Sequence, residues 1–152
     1  MTNLRDHHLE ITRAIRAELS NLLDGMDYCL DWKAEPTEWC VREVVYHLLG
    51  TPPGGIHSLV QGILSGELTE YEIWADQSNI TPGRQAKDMT GLREDIDVLF
   101  HGLEQALDSA TDDDLSGKPV VAHIRSRGID EERNVDVLLE RGFAGHWWEH
   151  MN

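Results

Sequence analysis

Hydrophobic positions recur along this chain at steps of three and four residues, the spacing that lines up one face of an α-helix. Over residues 4 to about 24, Leu4, Ile11, Ile15, Leu19 and Leu22 form such a stripe, and Gly25 is a natural stop. A connector containing Pro36 leads to a second helix from about residue 38, with Thr37 as its expected cap and Val41, Val44, Val45, Leu48 and Leu49 as its stripe. Gly50-Thr51-Pro52-Pro53-Gly54-Gly55 interrupts that stripe, which resumes through Ile56, Leu59, Val60, Ile63 and Leu64. The pattern therefore predicts a kinked or two-part second helix. Residues 67–87 keep no period and read as a loop, anchored by Tyr71 or Trp74. The clearest amphipathic helix follows over about residues 88–110, with Leu92, Ile96, Leu99, Leu103 and Ala106 on one face.

A second irregular connector spans residues 111 to about 130, in which Val120 and Val121 suit a short extended piece. A last helix is then expected from about residues 130–133. Its inward seam would run through Val135, Leu138, Leu139, Phe143, His146 and His150. Four amphipathic helices without a convincing strand predict an all-α fold, a four-helix bundle of one domain over residues 1–152.

Composition narrows the setting. The chain has 152 residues, 40% of them hydrophobic, enough for a sizeable core. No stretch is long and apolar enough for a membrane span, and the N-terminus lacks the apolar centre of a signal peptide, so a cytoplasmic protein is expected. Cys29 and Cys40 are too far apart for a C-x-x-C pair and read as reduced thiols. With 28 acidic and 13 basic residues the net charge is −15, which repels phosphate backbones and anionic membranes; neither nucleic acid nor membrane is an expected partner.

The chemistry lies in where three histidines fall. His146 and His150 are one helical turn apart on the expected inward seam, and His47 sits at the edge of the second helix's stripe between Val44 and Leu48. A buried polar ring without a partner costs about 1–3 kcal/mol, so these imidazoles call for hydrogen-bond partners or a metal ion. Three nitrogens with open positions suit Zn, Ni or Fe(II). The plainer alternative is a chance pair of histidines satisfied by hydrogen bonds. Glu43, one turn before His47, is a candidate to orient its ring or act as a base, or else a solvated partner of an arginine. His8 falls near the first stripe and either reaches the same centre or caps the surface. Cys40 reads as a thiol near the metal or a buried structural one, and Trp147 and Trp148 as packing or a dimer face.

The run Trp39-Cys40-Val41-Arg42-Glu43-Val44-Val45-Tyr46-His47-Leu48 resembles the W-S-V-R-E-V-x-x-H-L segment of DinB-like proteins, the YfiT-related metal-binding four-helix bundles. In that family a histidine of the second helix joins an H-x-x-x-H pair of the last, which matches His47, His146 and His150 here. The resemblance implies a divalent metal with accessible positions and often a homodimer. Relatives include thiol-dependent transferases and the mycothiol-dependent maleylpyruvate isomerase. It thus implies a metal-dependent enzyme acting on a small thiol and an electrophilic substrate. The competing expectation is a non-catalytic bundle that binds a small molecule or protein, with a structural or vestigial metal site.

Overall fold

The structure is a computed structural model and describes residues 3–74 and 76–151. Helix dominates at 61%, but a three-stranded mixed sheet is also present, which corrects the expectation of a plain all-α four-helix bundle. The helices are α1 (Leu4–Leu23), α2 (Val41–Gly50), α3 (Ile56–Ser65), α4 (Pro82–Gln85), α5 (Met89–Asp108) and α6 (Asp112–Gly117). The chain closes on one continuous helical stretch of α7 (Val135–Val137), a π-helical segment (Leu138–Gly145) and α8 (His146–Met151). Between them lie β1 (Glu70–Ile73), β2 (Val120–Ile124) and β3 (Ile129–Arg133).

Helix ends follow side-chain chemistry. Asn3 caps α1 through the backbone N–H of Asp6, Asp88 caps α5 through that of Gly91, and Asn134 caps α7 through that of Val137. The second helix starts at Val41 rather than near residue 38, because Glu43 reaches back to accept from the Cys40 N–H and closes the first turn there. The Pro-Gly interruption separates two helices outright, α2 ending at Gly50 and α3 beginning at Ile56.

α1, α3, α5 and the final helical stretch enclose the core, in which Ile15, Val60, Leu92, Phe100, Leu103, Leu107 and Val135 are fully shielded. Phe100 meets Phe143 and Trp147 edge-on, and those two rings are tilted against each other, with centroids 5.3–6.1 Å apart, tying α5 to the last helix.

The sheet occupies stretches expected to be irregular. β1 pairs parallel with β2, Glu70 opposite Val121 and Ile73 opposite Ile124; β2 pairs antiparallel with β3, Val120 opposite Arg133. β2 buries Val120, Ala122 and Ile124 on one face, the alternation of a half-buried strand. The β2–β3 turn uses Gly128 at φ 67°, a left-handed conformation that suits glycine. Both edge strands are charged: Glu70 and Glu72 on one side, Asp130, Glu131 and Glu132 on the other. Charge at a sheet edge discourages pairing with another chain, and it also hides the strand from a search for apolar alternation. The last helix accordingly begins at Val135, not at residues 130–133, which belong to β3.

Candidate metal centre

The π-helical segment changes which face of the final helix is buried. An unbroken α-helix would keep His146 and His150 on the seam of Leu139 and Phe143. After the π segment the seam passes instead through Trp147, which is 1% exposed, leaving His146 half-buried and His150 exposed. The expectation of two imidazoles buried in the seam is thereby corrected. The rings stand on its flank, at the boundary between core and solvent, and π segments of this kind often occur at functional sites.

His47 approaches from α2 and is fully buried. Its Nδ1 lies 2.6 Å from the Gln77 carbonyl oxygen, which only accepts, so Nδ1 carries the proton and Nε2 presents its lone pair. That Nε2 lies 3.0 Å from the Nε2 of His146. The His47 ring centroid is 5.0 Å from those of both His146 and His150, which are 4.7 Å from one another, all three pairs edge-on. One ring nitrogen from each lies within 4.8 Å of the other two. Trp39 covers His47 from the side, with centroids 4.8 Å apart.

The segment over α2 fixes this geometry. Asn79, at φ 62°, donates from Nδ2 to the carbonyls of Tyr46 and His47 and to Thr51 Oγ1, all at 3.3 Å, satisfying the end of α2. Gly50 makes room for it, since a Cβ there would come within 2.8 Å of Asn79 Nδ2. The Arg84 guanidinium donates to the Asn79 carbonyl, and Arg42, 5% exposed, pairs with Asp31 at 2.8 Å and donates to the carbonyls of Arg84 and Lys87. Arg42 of the W-x-V-R-E-V run therefore clamps the segment that carries Gln77.

Electrostatics favour neutral rings at His47 and His146. Burial, then the facing His47 and His150, push the His146 pKa down to about 4, and burial first lowers that of His47 as well. Neutral imidazoles are the form that binds a metal. Two nitrogens bonded at about 2.0–2.1 Å to one tetrahedral ion stand about 3.3 Å apart, a few tenths beyond the His47–His146 separation. The donor set could thus hold a metal ion.

The remaining candidates lie away from the three histidines. Glu43 does not reach the triad: its carboxylate pairs with Lys33 Nζ at 2.8 Å and accepts from the Cys40 N–H, which together keep its pKa low. Cys40 is buried, and burial raises its thiol pKa, so it stays protonated. His8 belongs to a different group, with Nε2 2.7 Å from Asp136 Oδ1 and Glu140 nearby. Geometrically His8, Asp136 and Glu140 also could hold a cation, but His8 is already satisfied by Asp136, and Glu140 by His7 at 2.7 Å. These bonds tie α1 to the final helix.

Beside His146 opens a cavity of about 520 Å³. Thr51, Ile73, Ile124, Gly142 and Gly145 line it together with Arg127, Arg133, Arg141, Glu140 and Glu149. The sheet supplies one wall through Ile73, Ile124 and Arg133. None of these lining residues except His146 carries a signal in the helical pattern, and Gln77 acts through its backbone, which no side-chain motif reveals.

No family model, curated protein or solved structure matches the chain. Among the described residues, no helix is long and apolar enough to cross a membrane.

Proposed function

We propose that His47, His146 and His150 bind one divalent metal ion, of the zinc, nickel or ferrous type, and that the protein is a metal-dependent enzyme acting on a small molecule, of the thiol-transferase or isomerase kind that the DinB-like resemblance implies. The observation that carries this reading is the 2.6 Å contact of His47 Nδ1 with the Gln77 carbonyl, which assigns the proton to Nδ1 and leaves the Nε2 lone pair 3.0 Å from His146 Nε2. A divalent ion there supplies Lewis acidity, lowering the pKa of a thiol or polarising an electrophile.

The chain's own residues do the rest. Trp39 and the segment carrying Gln77 exclude water from one side of His47, while His150 is exposed and His146 borders the cavity, so a ligand has access from the other side. Catalytic metal sites keep such an open side, whereas structural ones are closed by protein ligands. Metal analysis of untagged protein after dialysis tests the reading. One ion per chain, lost in His146→Ala and His150→Ala, together with turnover of a thiol and an electrophile, is the expected result. Metal-free protein of unchanged stability overturns the site; stoichiometric metal without turnover across thiols and electrophiles favours a non-catalytic binder.

A further inference from the structure

The arginines of the cavity stand out against the charge of the chain. Acidic residues outnumber basic ones 28 to 13, yet three arginines and two glutamates line this one space. Their partners leave donors over. Arg133 and Arg141 share a single carboxylate, Glu131, at 3.2 and 3.6 Å. Arg133 Nη1 donates to Tyr71 Oη at 3.1 Å, and its Nε is buried with no hydrogen-bond partner among the described residues. Arg127 forms no ion pair among them. A guanidinium carries five N–H donors, and the single carboxylate that Arg133 and Arg141 share leaves donors for a further anion in the space they line.

We infer that the cavity binds a small organic monocarboxylate, its carboxylate held by Arg133 and Arg127, its apolar body against Ile73 and Ile124, and its other end at His146. Guanidinium groups suit carboxylates because their N–H donors match the two oxygens in direction and charge. The volume of about 520 Å³ falls within the usual range of small-molecule sites. A phosphate dianion fits less well, because Glu140 and Glu149 line the same space and repel the second charge. The two isoleucines give an apolar wall that an inorganic anion would leave uncovered. This inference deepens the proposed function, naming the class of one substrate, and it rests on that reading only for the end of the molecule placed at His146.

The test uses the full chain, metal-free and zinc-loaded, with hexanoate as probe, hexanamide as its neutral counterpart and inorganic phosphate as the competing anion, followed by ligand-observed NMR. In metal-free protein hexanoate is expected to bind at least about tenfold more tightly than hexanamide and to weaken as salt rises. Arg127→Gln, at an exposed position, is expected to weaken it about three- to tenfold. Arg133→Lys, which keeps the charge but loses the paired donors of the guanidinium, is expected to do the same with circular dichroism unchanged. Equal binding of acid and amide, tighter binding of phosphate, or hexanoate affinity indifferent to both substitutions overturns the inference. Zinc stoichiometry, measured separately, keeps the two readings apart. Carboxylate preference in a protein that takes up no zinc sinks the metal centre alone, and zinc uptake without carboxylate preference sinks the cavity assignment alone.

Discussion

Acid should destabilise the metal-free protein well before its carboxylates protonate, and His146 should be the main reason. Its pKa is lowered from 6.5 to about 4 by burial and by the two facing imidazoles. Because the folded value lies below the unfolded one, the unfolded chain takes up the proton first. The contribution is intact above about pH 6.5 and is lost as the pH falls from there towards 4. At 1.36 kcal/mol per unit, the full shift is worth at most about 3 kcal/mol, of which about 2 kcal/mol has gone by about pH 5. His47, shifted in the same direction, adds to the loss. Urea unfolding of chelator-treated protein between about pH 7.5 and 5 measures this, with His146→Gln as the non-titrating comparison. The wild type should lose about 2 kcal/mol more than the variant over that interval. Parallel losses would show that His146 is not held neutral by the fold, and the argument for a lone pair facing His47 would fail with it.

Three further substitutions probe the supports of the site. Arg42→Ala removes the pair with Asp31 and the donors to the Arg84 and Lys87 carbonyls, and should cost about 2–3 kcal/mol in chemical denaturation; a loss below about 0.5 kcal/mol would mean the segment is not clamped there. Trp147→Ala should cost about 3–5 kcal/mol, whereas Trp147→Phe should cost about 1 kcal/mol or less, because the indole N–H has no partner to lose; equal costs would refute the packing account. Asn79→Ala should weaken zinc binding about tenfold in chelator competition by freeing the Gln77 carbonyl, and unchanged affinity would detach that carbonyl from the tautomer of His47.

The long helices were legible because each buries a stripe whose period is visible in the residues, and α1 and α5 lie within about two residues of the expected limits; the short α4 and α6 were not, since α4 buries no residue and α6 only Leu115. The sheet was not, for a physical reason particular to each strand. β3 reads Ile-Asp-Glu-Glu-Arg, and its pairing depends on backbone hydrogen bonds to β2 rather than on an apolar face; β1 has only Tyr71 and Ile73 to alternate with two glutamates. Only β2 carried a hint, in Val120 and Val121. The juxtaposition of His47, His146 and His150 followed from their places on two helices, but their depth did not, because the π segment moves the buried seam onto Trp147. Glu43 looked like a partner for His47 at one turn's distance, yet a capping position and Lys33 claim its carboxylate. The cavity arginines come from the turn after β2, the end of β3 and the π segment, and only the folded sheet brings them together.

The central claim, that two helices supply three imidazoles to one ion, is tested most directly by X-ray absorption spectroscopy on zinc-loaded, untagged protein. The proposed site predicts three imidazole nitrogens at about 2.0–2.1 Å with the remaining scattering from light oxygen or nitrogen atoms, and the loss of one imidazole in His150→Ala. A spectrum with one imidazole or none, or one unchanged by substitution of His47, His146 or His150, would contradict it.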